Sequence, residues 1–409
     1  MGDTFNIADV AAIHGIEIIK DKGSEVFAVC PFCGDRRGKF SYIVQKGDKS
    51  NIYNCFACDA HGGVLDLHMK LSGNAYGSNA NKQAAKEIFQ AINGNMEYKK
   101  SHESAKSIPV CHEAEKASDG RISEVYYAFL KQLTLKDEHK ADLVRRGLTE
   151  TDIKRFRFRS TPDIKQKYDA IRHLLEEGYD LEGVPGFYLN KKNQWDFKIS
   201  GVGYFCPVYD GEYNLITGFQ IRVDKPVNKA KYLWVSSCGC EKGVSSGAVS
   251  TFLPGKMNHS VIITEGILKA TVIYSLLNGD VSVIGVPGVK SIKGLEDYLD
   301  RYKGNAYVFE AYDMDKAVKT DDPHEKEKTE RIAEAAEKLK EMCQEYNIDT
   351  HSLTWDFDEK GYWKENFKGL DDFLLSYEKK DLFKAYLLKR TKSSLKVRNF
   401  FHDEKGVSG

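Results

Sequence analysis

Val261-Ile262-Ile263-Thr264-Glu265-Gly266 is an apolar run closed by a carboxylate and a glycine. Its length and continuity suit a strand covered on both faces. Tyr307-Val308-Phe309-Glu310-Ala311-Tyr312-Asp313-Met314-Asp315 repeats that form further on. Strands are predicted at Val261–Thr264, Ser282–Val286, Ala306–Tyr312 and His351–Trp355, with helices at about 267–277, 291–302 and 325–346 between them. Alternation of this kind builds a parallel sheet covered by helices. Ligands of such sheets bind beyond the carboxyl ends of the strands, where Glu265, Asp313 and Asp315 would project. Continued strand alternation would send residues 313 and 315 to one side. Carboxylates gathered without a cationic partner repel one another, and Mg²⁺ or Mn²⁺ between them removes that cost. Such a centre suits phosphoryl transfer. Asp-x-Asp alone reads as a solvated turn; the strand-ending Glu-Gly before it makes the pair more specific.

Outward from this block, residues 201–257 carry strand-like runs with Gly and Pro turns, and 124–200 look helical. The helical stretch has a basic centre, Arg145, Arg146, Lys154, Arg155, Arg157 and Arg159. It reads either as a phosphate-tracking stripe or as a solvated helix face. Thr149 or Thr151 is placed to cap a helix there. Residues 94–123 are polar and read as a linker. The segment 384–398 holds six basic residues and no acidic one, and suits a solvated helix or a binding tail.

Near the start lie Cys30-Pro31-Phe32-Cys33 and Cys55-Phe56-Ala57-Cys58. Zinc takes four thiolates in a tetrahedron, and Cys-x2-Cys knuckles supply them two at a time. Free buried cysteines and a redox pair are the alternatives; two paired knuckles in one short segment favour structural zinc. His61 and His68 read as surface or packing residues, since four thiolates fill the shell. Arg36, Arg37, Lys39, Phe40 and Tyr42 flank one knuckle; Asn51, Tyr53, Asn54 and Phe56 flank the other. Interleaved cations and rings suit single-stranded nucleic acid. A solvated face over core rings fits the same residues.

The whole chain has 409 residues, with 60 basic and 60 acidic side chains, 41% hydrophobic and 29% charged residues. This excludes a disordered tail and a uniformly basic binder, though local patches can still hold nucleic acid. No apolar run reaches the ~18 residues of a spanning helix, and the polar start is unlike a signal peptide, so a cytoplasmic location is expected and no membrane partner. No Gly-x4-Gly-Lys-Ser/Thr loop is present, which argues against a fused helicase motor.

Cys-Pro-Phe-Cys, the Lys39-Phe-Ser-Tyr42 strand and Tyr53-Asn-Cys-Phe-Ala-Cys-x3-Gly-Gly-Val-Leu-Asp-Leu67 together resemble the zinc-binding domain of DnaG-type bacterial and phage DNA primases. In that family the second ligand is often His; here it is Cys33. Glu265-Gly266, Gly285-Val-Pro-Gly-Val-Lys290, Asp313-x-Asp315, Trp355-Asp356 and Lys368-Gly-Leu-Asp-Asp-Phe-Leu374 resemble the TOPRIM fold of DnaG-type primases, topoisomerases and some nucleases, over roughly 259–375. The last motif is similar to TOPRIM-like domains of phages and mobile elements. The resemblance implies metal binding by Glu265, Asp313 and Asp315, with Asp371 or Asp372 auxiliary. Bacterial primases often carry an acidic residue three after the Gly, where this chain has Lys269, so the number of metal ions stays open. Gly203–Asp210, Thr217–Arg222 and Lys231–Ser237 resemble the basic half of the primase core, implying that Arg222 and Lys231 hold nucleotide. Leu143–Ile153 is similar to its "Arg-Gly-Leu" helix pair.

The expected architecture is multidomain α/β. A β-rich, zinc-ribbon-like domain spans 1–93, and a linker spans 94–123. A basic α+β module covers 124–257, and a Rossmann-like TOPRIM sheet covers 258–378. A basic helix or tail ends the chain at 379–409. The resemblance implies a primase joining ribonucleoside triphosphates on single-stranded DNA, with structural zinc and catalytic Mg or Mn and a replicative helicase in trans. Nucleic acid would be held by Arg36, Lys39, Tyr42, Arg145, Arg146 and Arg155. A TOPRIM nuclease and a non-catalytic replication or defence accessory are the alternatives.

Overall fold

The structure is a computed structural model that describes residues 5–46, 49–58, 60–72, 80–92, 113–212, 214–227, 230–289, 294–301, 307–318, 322–360, 362–376 and 380–388. Most of the expected linker and of the basic segment 384–398 lies outside these residues. The chain divides into two compact units, one of residues 1–114 with 238–244, the other of 115–237 with 245–409.

The first unit is a five-stranded antiparallel sheet in chain order: β1 Ile18–Asp21, β2 Glu25–Ala28, β3 Phe40–Lys46, β4 Lys49–Cys55 and β5 His61–Gly63. Helices α1 Ile7–Ile13, α2 Val64–Ser72 and α3 Ala80–Ile92 accompany it. Asn6 and Asp9 form a reciprocal capping box at the start of α1. Phe40 and Tyr42, two apart on β3, share one face and are buried with Val26, Ala28 and Tyr53.

In the second unit, α4 Asp119–Lys131, α5 Asp137–Arg145, α6 Glu150–Arg155, β6 Arg159–Ser160 and α7 Ile164–Glu176 come first. Helix α4 begins inside the expected linker, because Ser118 caps it and Ile122, Val125 and Phe129 are buried. Thr149 caps α6 in a capping box with Asp152. A small hairpin follows, β7 Phe187–Leu189 with β8 Trp195–Phe197. Then come β9 Gly203–Asp210, β10 Leu215–Val227, β11 Ala230–Trp234, β12 Thr251–Leu253 and β13 Met257–Glu265. The rest is α8 Ile267–Leu276, β14 Val281–Val286, α9 Glu296–Arg301, β15 Tyr307–Glu310, α10 Pro323–Glu345, β16 Asp349–Ser352, α11 Leu370–Ser376 and α12 Lys380–Leu388.

One mixed sheet runs through this unit in the order β11-β10-β9-β12-β14-β13-β15-β16. The short β12 pairs with β9 on one side and β14 on the other. The expected boundary at 257/258 is therefore no division between separate bodies: sheet hydrogen bonds cross it. Strands β14, β13, β15 and β16 are mutually parallel, as the alternation predicts. Val261 and Ile263 face one apolar cluster and Ile262 the other, which explains the unbroken apolar run. Phe129, Phe187, Phe197, Phe205 and Phe219 stack through the core, with Phe129 and Phe197 centroids 4.6 Å apart. Each such ring contributes roughly 2–3 kcal/mol by burial. Gly266 starts α8 at φ 100°, a conformation costly for any residue with a Cβ. That turn lets the chain reverse directly after Glu265. No helix among the described residues is long and apolar enough to cross a membrane.

Candidate functional site

The first unit brings Cys30, Cys33, Cys55 and Cys58 together, with all four sulfurs within 4.8 Å of one another. Cys30 Sγ lies 3.8 Å from Cys58 Sγ, and Cys33 Sγ lies 4.0 Å from Cys55 Sγ. Zn–S bonds of about 2.3 Å in a tetrahedron require sulfurs about 3.8 Å apart. The spacing, and the soft donor set, fit a four-cysteine zinc site. Turn hydrogen bonds hold the knuckles: Gly34 N–H donates to the Cys30 carbonyl at 2.9 Å, and Cys55 N–H to that of Ala60 at 2.8 Å.

His61 is exposed on β5. His68 is buried in α2, its Nε2 3.1 Å from Glu87 Oε2 and its Nδ1 3.1 Å from His14 Nε2. It is a packing residue. Burial, then His68, holds the His14 imidazole down at about 4. Tyr42, expected to stack on nucleic acid, is only 2% exposed and belongs to the core. Period-two alternation with Phe40 carries its ring inward. Arg36 and Lys39 are exposed, and Arg36 pairs with Glu17 at 3.1 Å. Phe56, between the ligands of the second knuckle, is 80% exposed. Residues 238–244 belong to this unit: Cys238 Sγ donates to Glu113 Oε1 at 3.0 Å and accepts from Arg37 Nη2 at 3.6 Å. Nothing in the knuckle motifs indicated that loop.

In the second unit Glu265 ends β13, half-buried at the carboxyl end of the parallel strands. Strand β15 stops at Glu310, earlier than the motif predicts. Asp313 instead precedes a 3-10 turn, Met314–Ala317, and Asp315 lies inside it. Their common direction therefore comes from this turn and not from strand alternation. The Met314 N–H donates to the Lys368 carbonyl at 2.9 Å, which docks the Lys368–Asp371 segment on the turn.

Two lysines stand among these carboxylates. Lys269 Nζ bonds Asp313 Oδ1. Lys368 Nζ lies 2.6 Å from Asp315 Oδ2 and 3.6 Å from Asp313 Oδ2. Burial, reinforced by Asp313, pushes the Glu265 carboxyl up, against the fields of Lys269, Lys368 and Arg331. Burial works to lower the Lys269 ammonium, but Asp313, Asp371 and Glu265 outweigh it and leave it raised. Asp371 is 5% exposed, and its Oδ1 has no hydrogen-bond partner among the described residues. Burial pushes its carboxyl up to about 6, with Lys269 opposing and Asp372 and Asp313 adding. A Cβ on Gly369 would stand 2.2 Å from that Oδ1, so a side chain there would push the Asp371 carboxylate aside. Asp372 is exposed, so of the adjacent pair Asp371 faces the cluster.

Among the described residues the four cysteines alone bring metal-ligand atoms into mutual range. The carboxylate cluster offers hard oxygen donors, the type a divalent cation takes, and one orphaned buried oxygen, with its oxygens spread wider than the thiolates. Buried Glu310, missed in the sequence, is held by Lys316 Nζ at 2.8 and 2.9 Å and by Ser352.

Arg222 on β10 lies over the Tyr232 ring at 5.2 Å, and its buried Nε has no partner among the described residues. Lys231 is exposed on β11. The Tyr232 hydroxyl is pushed up to about 12 by burial and Cys206, with Arg146 and Arg222 opposing and Asp371 adding. Tyr232 thus feels both Arg222 and the carboxylate cluster. Arg145 is exposed and pairs with Asp142. Arg146 Nε bonds Asp142 Oδ2 at 3.0 Å, and Arg155 lies over Tyr274 and donates to its hydroxyl at 3.3 Å. Internal partners therefore engage all three arginines expected to hold nucleic acid, Arg145, Arg146 and Arg155.

Comparison with known proteins adds three findings. Residues 1–104 match the family described as CHC2 zinc finger, and residues 253–381 match a domain of unknown function, DUF3854. No curated protein matches. Among solved structures, the Aquifex aeolicus primase (zinc binding and RNA polymerase domains) aligns at 13% identity, covering 94% of this chain and 83% of that one, TM-score 0.46. The RNA polymerase domain of Mycobacterium tuberculosis primase DnaG aligns at 12% identity over 67% and 84%, TM-score 0.46. A DnaG primase catalytic domain bound to ssDNA aligns at 15% identity over 65% and 77%, TM-score 0.40. Roughly the first quarter of the chain thus matches the CHC2 zinc finger both in its sequence and in its thiolate geometry, with Cys33 as the second ligand.

Proposed function

We propose that this chain is a primase of the DnaG type, a nucleotidyltransferase that makes short RNA primers on single-stranded DNA. The observation that carries the reading is the grouping of Glu265, at the end of β13, with Asp313 and Asp315 of the turn after β15 and Asp371 of α11 around Lys269 and Lys368, in one chain with a CHC2-like zinc finger. A primer 3′-hydroxyl would attack the α-phosphate of an incoming triphosphate. The new O3′–P bond forms as the bond to the β-phosphate oxygen breaks, pyrophosphate leaves with its electron pair, and the hydroxyl proton passes to solvent. Mg²⁺ or Mn²⁺, when bound, would supply a lowered hydroxyl pKa and neutralise the departing charge. Glu265, Asp315 and Asp371 would be its oxygen donors, while Lys269 keeps Asp313 neutralised. Arg222, with its unused Nε, and exposed Lys231 would hold phosphate oxygens. Arg36, Lys39 and Phe56 would meet the template.

A second reading has one observation in its favour. Lys269 and Lys368 already neutralise Asp313 and Asp315, as they would in a non-catalytic nucleic-acid-binding accessory. Incubation with circular single-stranded DNA, labelled ribonucleotides and Mg²⁺ or Mn²⁺ separates the two. Short labelled oligomers, lost in Asp313→Ala with DNA affinity kept, support the primase. DNA binding without product supports the accessory, and a nicked template would mark a nuclease instead.

A further inference from the structure

Lys269 sits inside the carboxylate cluster and not at its rim. Its side chain is 25% exposed, its Nζ is on Asp313 Oδ1, and its Cε would lie 3.5 Å from a Cβ on Gly369, beside Asp371. Four carboxylates lie within electrostatic reach of Lys269 or Lys368: Asp313, Asp371 and Glu265 act on Lys269, and Asp315 and Asp313 on Lys368. Two ammonium groups, Lys269 and Lys368, answer them. Their formal charges leave 4 − 2 = 2 negative charges, which one divalent cation balances. Exposed Arg331 and exposed Asp372, whose fields reach Glu265 and Asp371, offset each other. A second divalent ion would have to displace the ammonium from Asp313 and stand close to another dication in a half-buried space, where repulsion is strong.

We propose that Lys269 is a built-in cation that takes the place of a second divalent ion, so that this centre holds a single one. Buried Asp371 Oδ1, the acceptor without a partner, is the oxygen left for that ion. The inference rests on the metal-dependent reading above and deepens it: this chain carries, as a side chain, some of the positive charge that a two-metal centre recruits from solution. Lys269 acts through Asp313 and is a positioning residue.

The test is metal stoichiometry, read independently of primer synthesis. The full zinc-loaded chain is titrated with Mn²⁺, and free Mn²⁺ is followed by electron paramagnetic resonance. Wild type is expected to bind one Mn²⁺ per chain, and Asp371→Asn to weaken that site at least tenfold. Lys269→Asp, which exchanges the ammonium for an oxygen donor, is expected to bind two. Lys269→Met, which keeps the length and removes the charge, is expected to bind Mn²⁺ at least tenfold more tightly than wild type. Two Mn²⁺ in wild type, or Lys269→Met at unchanged affinity, would overturn the role of Lys269 while leaving the metal-dependent reading intact. No Mn²⁺ bound at all would overturn both. Circular dichroism on each variant separates a misfolded chain from an altered site, and Lys269→Arg, which retains the charge, is expected to keep a stoichiometry of one.

Discussion

Lys368 holds Asp315 twice over: its Nζ lies 2.6 Å from Asp315 Oδ2, and its own carbonyl accepts the N–H of Met314, the residue before Asp315. The backbone bond survives any substitution at 368, so the turn should keep its place when the charge goes. The side chain is half exposed, and such pairs contribute about 1 kcal/mol or less. Lys368→Ala is therefore expected to shift the urea midpoint only slightly, while Mn²⁺ affinity rises because a competing cation has left Asp315. A stability loss above about 3 kcal/mol would mean that this ion pair, and not the backbone bond, anchors the segment.

A second prediction concerns acid. His14 is held at about 4 by burial and by His68, against an ordinary value of 6.5. The folded first unit therefore prefers a neutral imidazole, and the unfolded chain binds the proton more readily. Stability from this group is complete above about pH 6.5 and drains away as pH falls towards 4. The loss is on the order of 1–2 kcal/mol at pH 5, after allowing for partial solvent screening. His14→Gln, which cannot charge, should gain by that amount on wild type between pH 7.5 and pH 5 in urea titrations. Parallel curves for the two proteins across that range would rule out the linkage. Zinc loss in acid affects both proteins alike and cancels in the difference.

What could be read from the residues alone follows from how local each signal is. Two Cys-x2-Cys knuckles and the apolar run before Glu265 are local, and both have their structural counterparts. The inward turn of Tyr42 was also legible, since Phe40, Tyr42 and Val44 alternate on β3, but the basic neighbours drew attention to its ring instead. Other features depend on residues far apart in the chain. The ion pair of Lys269 with Asp313 spans 44 positions, and that of Lys368 with Asp315 spans 53. Neither residue type reveals its partner. The end of β15 at Glu310 is set by that buried carboxylate, which accepts the Tyr312 N–H and pairs with Lys316, so the chain leaves the sheet before Asp313. The joining of the basic module to the parallel strands depends on the three residues of β12, too short for any periodicity to show.

The zinc site offers a third prediction. Cys33 Sγ lies 4.0 Å from Cys55 Sγ, at a position where imidazole is also a good zinc donor. Cys33→His is expected to keep one zinc per chain by elemental analysis, and Cys33→Ala to lose most of it. Because this small unit depends on metal for much of its stability, the alanine variant should also show faster proteolysis within residues 1–114. Full zinc retention in Cys33→Ala would remove Cys33 from the ligand set.

Phe56 provides the last. It lies between Cys55 and Cys58 and is 80% exposed, so its ring contributes little to the core of the unit. Exposure of a large ring has no stabilising rationale of its own, whereas a ring on a residue whose N–H bonds the carbonyl of exposed Lys39 suits base stacking next to phosphate contacts. Stacking of one base is worth about 1–3 kcal/mol by alanine substitution, roughly a five- to hundredfold change in affinity. Phe56→Ala should therefore weaken binding of a fluorescent single-stranded oligonucleotide within that range and leave zinc content and the unfolding midpoint where they are. Phe56→Trp should restore binding. The salt dependence of affinity should stay the same in both variants, because neither removes a cation, whereas Lys39→Ala should reduce it by about one counterion. An unchanged affinity in Phe56→Ala would place the template surface of the zinc unit elsewhere.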